Sequence, residues 1–195
     1  MVWISVIEPE AADGRLARLY RQVAPDGQVD QILKAHSLRP HTMEGHLALY
    51  RSVLHHPHNT LDPAFAEALG VAVSLANGCA YCVTHHAAGL GRELADPRRH
   101  ASWMQALREQ RWTPAFDTRQ ALALDWAWTL TTHPRQCTQA QIDALREAGW
   151  RDGEILEINQ IIAYFNYANR VVLGLGVTTD GEQPGRVHPA PETAR

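Results

Sequence analysis

The sequence predicts an all-α fold, and three observations carry that reading. Asp62-Pro63 and Asp96-Pro97 each precede a run of apolar residues at helical spacing; Asp caps a helix, and Pro is tolerated in the first turn. Phe65, Leu69, Ala72 and Val73 stand at i, i+4, i+7 and i+8, which is one face of a helix. Near the C-terminal end, Ile158, Ile161, Ile162, Phe165 and Ala168/Asn169 trace a second broad face. The expectation is about eight helices with no sheet of consequence.

Taken in order, Trp3 to Ile7 is short and β-leaning, an extended arm. Pro9-Glu10 begins a helix through Val23 carrying Leu16, Leu19 and Tyr20, and Pro25-Asp-Gly27 breaks it. Val29, Ile32 and Leu33 suggest a short helix ending before Ser37, and Pro40 opens a longer one through Met43, Leu47, Tyr50 and Leu54. The Asp62-Pro63 helix ends at Asn77-Gly78, and a helix from Cys79 runs to Leu90 with Gly91 as C-cap. Asp96-Pro97 and Thr113-Pro114 start the next two helices. Thr138-x-x-Gln141 is a capping box for a helix stopped by Gly149, and Asp152 caps the final helix, Ile155 to Leu173. The expected organisation is one domain over 1–178, with 1–36 an N-terminal extension packed on it. The stretch 179–195, rich in Pro, Gly and charge, is expected to be loose.

At 195 residues the chain is long enough to bury a core without staples. A net charge of −3 offers no basic field, so nucleic acid is a poor partner, and no apolar run reaches membrane-spanning length. The first residues lack the pattern of a signal peptide, and three cysteines fit a reducing compartment. The expectation is a soluble cytoplasmic protein.

The chemistry concentrates in Ser74-Leu-Ala-Asn-Gly-Cys79-Ala-Tyr-Cys82-Val-Thr-His85-His86. Cys79 and Cys82 are i and i+3 at a helix start, close enough to bridge. A thiol attacks as thiolate, and a free cysteine, with a pKa of about 8.5, is mostly protonated at neutral pH. A helix N-terminus lowers that value, which favours Cys79. His86 is i+4 from Cys82 and can exchange a proton with it, which favours Cys82 instead. Glu67, in the second turn of the preceding helix, would orient His86 if the two helices fold back on each other. A structural zinc held by Cys79, Cys82, His86 and either His85 or Glu67 is the competing reading. His85 falls on the surface by helical phase. His36, His41, His46, His55, His56 and His58 show no ligand spacing, and Cys137 lies outside any motif.

Glu67, eleven residues, then Cys79-x-x-Cys82-x-x-x-His86 resembles the redox site of the alkylhydroperoxidase D-like proteins, in the carboxymuconolactone decarboxylase superfamily. Ser74-x-x-Asn77-x-Cys79-x-Tyr81-Cys82 resembles the branch described as peroxidase-related, where Tyr81 stands in place of a relay histidine. Leu145-Arg-x-Ala-Gly149, Glu154-Ile-Leu-x-Ile158 and Phe165-Asn166-x-x-Asn169-Arg170-Val are similar to its C-terminal pattern, and Tyr20 and Ser37-Leu-Arg-Pro40 to its opening. The resemblance implies an alkylhydroperoxidase D-like fold and a thiol-dependent peroxidase. In it Cys82 forms the sulfenic acid, Cys79 resolves it, and His86 and Glu67 relay protons. It implies no cofactor and no metal, a hydroperoxide substrate, and an external lipoyl- or thioredoxin-like dithiol as reductant. It also implies a homo-oligomer, a dimer or a hexamer built as a trimer of dimers. A dithiol–disulfide oxidoreductase or redox sensor keeps the same site without peroxide turnover. A lactone decarboxylase fits less well, because those enzymes lack the cysteine pair. Asn166, Asn169 and Arg170 are expected to be structural, or to face the redox cleft.

Overall fold

The computed structural model describes residues 2–186. Among them the architecture is all-α, with nine α-helices: α1 Gly14–Val23, α2 Gln31–Lys34, α3 Pro40–Leu54, α4 Pro63–Ala76, α5 Ala80–Leu94, α6 Pro97–Glu109, α7 Thr118–Thr132, α8 Gln139–Glu147 and α9 Asp152–Leu175.

Helix α4 is the axis of the bundle. Every residue from Ala64 to Ser74 is buried, so the helix is covered all round, by α5, α9, α7 and α6. Its composition allows this: Ala64, Ala66, Ala68, Gly70 and Ala72 let neighbouring backbones approach closely. Asp62 accepts from the Phe65 N–H at 2.9 Å, and Gly78, at φ 69°, turns the chain directly back into α5. The resulting α4–α5 hairpin is clamped by α9, whose Ile158, Ile161, Ile162 and Phe165 are fully buried against it. Each such side chain contributes about 1.5–3 kcal/mol of apolar burial. A second cluster joins Leu16, Leu19, Tyr20 and Val23 of α1 to Leu33, Met43 and Leu47. A third gathers Ala35, Val172 and Val177 around Cys79, Tyr81 and Cys82.

Several boundaries differ from expectation. Pro9–Ala11 is a separate 3-10 turn, and Asp13 precedes α1 in extended conformation. Helix α5 runs past Gly91 to Leu94 and ends at left-handed Ala95, because Gly91 stays helical where it packs near His100. Helix α7 begins at Thr118 rather than at Pro114. Asp117 and Gln120 form the true capping box, with Gln120 N–H donating to Asp117 at 2.7 Å. Asp152 is the first residue of α9, not its cap; Glu154 reaches back to accept the Arg151 N–H at 2.9 Å. The tail expected to be loose is fastened over its described part. Gln31 Nε2 donates to Asp180 O at 3.3 Å, Arg92 to Gly185 O at 2.5 Å, and Arg186 pairs with Asp26. The rest of that stretch, 187–195, lies outside the described residues.

Candidate active site

The α4–α5 hairpin assembles the sequence-predicted residues. Cys79 is the N-cap of α5, its N–H held by Ser74 O at 2.9 Å, and Cys82 sits within the first turn. One turn further along, His86 Nδ1 meets Glu67 Oε2 at 2.7 Å across the two helices. Both Glu67 and His86 side chains are largely buried. Because the carboxylate only accepts, Nδ1 carries the proton and Nε2 is left as the basic nitrogen. The edge of the His86 ring rests on Phe165 at 4.4 Å between centroids.

The cysteines are free thiols, both buried. Cys79 is held below the usual thiol range, first by a hydrogen bond from Cys82 and against the opposing effect of burial. Cys82 is pushed far up by that same hydrogen bond, by burial and by the neighbouring Cys79 charge, with a hydrogen bond from Asn169 pulling the other way. The pair therefore loses one proton readily and holds the second between its sulfurs. The two thiols line different pockets. Cys82 and His86 line one small pocket of about 60 Å³, together with Asp30, His46, Tyr50, Tyr81, His85 and Tyr164. Cys79 lines a separate, mostly apolar depression with Val172, Leu173 and Val177.

Three further findings concern residues that the sequence reading set aside. His85 is not a surface residue: its ring stacks on Tyr81 at 4.4 Å, and Nε2 meets Glu182 Oε1 at 2.8 Å. His46 is buried, with its Nε2 3.5 Å from the Tyr164 hydroxyl. Its position, between Met43 and Tyr50 on the inward stripe of α3, is the signal that could have found it. Glu182 has no local signal, since its partners His85 and Gln31 lie 97 and 151 residues away. Asn169 is fully buried; it donates to Ser74 Oγ at 3.2 Å and accepts from Asn77 at 3.0 Å, tying α9 to the hairpin turn. Asn166 also accepts from Asn77, and Arg170 bonds back to Asn166.

Glu67, His55, His56, Glu93 and Glu157 line a cleft of about 260 Å³. Burial holds His55 below its usual range. Among the described residues no group of three or more His, Cys, Asp or Glu side chains is placed to hold a metal ion, and no described helix is long and apolar enough to cross a membrane.

The all-α bundle thus places a Cys-x-x-Cys at a helix start beside a Glu–His pair across a hairpin. The carboxymuconolactone decarboxylase family model matches residues 40–127, the segment from α3 into α7 that contains Glu67, Cys79, Cys82 and His86. Over that segment the chain carries a domain of the carboxymuconolactone decarboxylase family, and its fold is that of the alkylhydroperoxidase D-like proteins. A peroxidase-related protein from Ralstonia eutropha JMP134, described as an alkylhydroperoxidase AhpD core, superposes with a TM-score of 0.79 at 24% identity, covering 94% of this chain and 97% of that one. A second peroxidase-related protein, from Silicibacter sp. TM1040, gives 0.77 at 25% identity over 91% of each chain. A cysteine-to-alanine variant of the debrominase Bmp8, in complex with 2,3,4-tribromopyrrole, gives 0.73 at 16% identity over 93% and 95%, a likeness of fold alone. A search of curated proteins finds no match.

Proposed function

We propose that this chain is a thiol-dependent peroxidase that reduces small hydroperoxides through a Cys79/Cys82 dithiol–disulfide cycle. The observation that carries the reading is His86, which lines the same pocket as Cys82 and is held by Glu67 at 2.7 Å. His86 Nε2 removes the proton that the two sulfurs share, and Glu67 stabilises the imidazolium. Cys82 thiolate attacks the terminal oxygen of ROOH; the O–O bond breaks, Cys82 becomes sulfenic acid and ROH departs after protonation. Cys79 thiolate then attacks the Cys82 sulfur; the S–O bond breaks, and the departing hydroxide takes the proton held on His86 to leave as water, forming the disulfide. An external dithiol, lipoyl- or thioredoxin-like, returns both sulfurs to thiols and is itself oxidised to a disulfide. Cys82 is assigned the attack because it shares its pocket with His86, and Cys79 supplies the anion that the pair holds at rest. The pocket suits a small oxidant rather than a bulky one. The protein acts as a cytoplasmic homo-oligomer in this reading, with the cycle serving antioxidant defence.

The test is single turnover: fully reduced protein with one equivalent of hydroperoxide, followed by intact mass and peptide mapping. A rapid Cys79–Cys82 disulfide, with sulfenic acid trapped on Cys82 in Cys79→Ser, supports the cycle. No oxidation within minutes sinks it and leaves a second reading, a dithiol–disulfide oxidoreductase or sensor. One observation favours that second reading. Burial and the charges of Glu182 and Asp30 hold the Tyr81 phenol far above neutrality, so no buffering group stands between the cysteines.

A further inference from the structure

Cys82 has two histidines one turn along α5, and only one of them is used above. At about 100° per residue, His85 and His86 project to either side of Cys82 on the helix surface. His86 is held by Glu67 from α4. His85 is held in a matching way from the opposite direction: its Nε2 meets Glu182 Oε1 at 2.8 Å. The other carboxylate oxygen, Glu182 Oε2, accepts the backbone N–H of Gln31 at 2.6 Å, so this carboxylate is fixed at both ends. Its side chain is 5% exposed, an uncommon position for a glutamate on a polar, Gly-rich segment.

The segment bearing Glu182 is anchored on both flanks. Arg186 donates to Gln28 O at 2.5 Å and pairs with Asp26, and Arg92 holds Gly185 O. Gly185 packs so tightly on α5 that a β-carbon there would lie 2.7 Å from that of Ala88. The segment thereby delivers a carboxylate to an imidazole that lines the Cys82 pocket alongside Tyr81, Asp30 and Arg186. The Tyr81 ring, stacked on His85, fixes its plane from the other side.

We propose that His85 is the general acid of the peroxide reaction and that Glu182 is its positioning residue. The inference rests on the peroxidase reading and adds the step that reading leaves open. When Cys82 thiolate takes the terminal oxygen of ROOH, the O–O electron pair leaves on RO⁻, a strong base. The carboxylate acceptor keeps a proton on His85 Nε2, so the exchangeable proton is on Nδ1 of the imidazolium. That proton passes to RO⁻ and gives ROH; neutral His85 is reprotonated from solvent. The pocket then holds a base, His86, and an acid, His85, on the two sides of the reacting sulfur, each set by its own carboxylate.

The experiment compares two oxidants that differ in their need for an acid. Hydrogen peroxide expels hydroxide, which needs a proton in the transition state; peracetic acid expels acetate, which does not. Second-order rate constants for oxidation of the reduced protein are measured with both oxidants on one preparation each of wild type, His85→Gln and Glu182→Gln. Their ratio is independent of any misfolded fraction. The expected result is a fall of about 100-fold with hydrogen peroxide in His85→Gln, the scale of lost general-acid catalysis, and little change with peracetic acid. Glu182→Gln shows a smaller selective fall. Added imidazole restores hydrogen peroxide reactivity to His85→Ala. An unchanged ratio, whether both rates fall together or neither falls, overturns the proposal and makes the pair a staple for the C-terminal segment. Wild type that reacts with neither oxidant defeats the peroxidase reading itself, and this inference with it.

Discussion

Glu67 lies against Gly89 so closely that a β-carbon at residue 89 would stand 2.8 Å from the carboxyl carbon. Residue 89 is one turn beyond His86 on the same helix, so the missing side chain is what leaves room for the carboxylate to reach the imidazole. The Glu–His pair therefore depends on a third residue that takes no part in the chemistry.

Gly89→Ala tests that dependence. Alanine favours the helix by about 1 kcal/mol relative to glycine, while the carboxylate is the movable end of its side chain and can swing toward the cleft lined by His55 and Glu93. The expected outcome is a thermal midpoint close to wild type and a peroxide rate constant lowered by about 10- to 100-fold, the scale of a lost acid–base contribution. A rate equal to wild type would mean that Glu67 need not touch His86.

Gly70→Ala is expected to behave differently, although it looks like the same change. A β-carbon there would fall 2.3 Å from the Phe165 ring, which is fully buried and has nowhere to go. Overpacking of this kind costs about 1–3 kcal/mol and sometimes more. Phe165 also supports the His86 ring, so stability and activity should drop together. Urea unfolding beside single-turnover rates checks both.

These two glycines also mark where the sequence stopped being legible. Helix starts at Asp62-Pro63 and Asp96-Pro97 and the Thr138 box are local signals, and each is present in the fold. The sequence places the α7 start at Pro114, because the cap at Asp117 shows only through the answering side chain of Gln120. Helical phase places His85 at the surface because it describes only its own helix. What buries it is Glu182, ninety-seven residues away in a segment whose composition suggests no structure. His46 and Tyr164 escaped for the same reason: α3 and α9 meet by tertiary packing, which no local pattern encodes.

Glu154 provides a pH-dependent test of the fold away from the site. The residue is 8% exposed, and burial alone would raise its pKa. Hydrogen bonds from the Arg151 N–H and the Arg151 and Arg119 guanidiniums outweigh that and hold it below the usual carboxylate range. A depressed folded-state pKa contributes stability that is present above the unfolded value of about 4.3 and lost as pH falls through the folded one. Glu154→Gln should thus cost about 1–2 kcal/mol at neutral pH, given the loss of charge-assisted hydrogen bonds. The deficit should shrink toward zero in acid. A deficit independent of pH would indicate lost packing instead of lost charge. Chemical unfolding at neutral and acid pH measures it.

The coupled thiols make the last prediction. Cys79 sits below the ordinary thiol range chiefly because Cys82 donates to it, so removing that donor should raise Cys79. In wild type, one sulfur is then reactive toward an alkylating agent below the usual thiol pKa of about 8.5, and the other resists until far higher pH. In Cys82→Ala the alkylation profile of Cys79 should move to higher pH, because burial, which disfavours the thiolate, is no longer opposed by the hydrogen bond. In Cys79→Ala the remaining Cys82 should become more acidic than in wild type, since the neighbouring charge that raised it is gone. Its reaction with peroxide should persist, stopping at sulfenic acid. A Cys79 profile that stays put in Cys82→Ala would show that the helix N-terminus, rather than its partner sulfur, sets its acidity. In that case Cys79 would be the better candidate for the attacking thiolate.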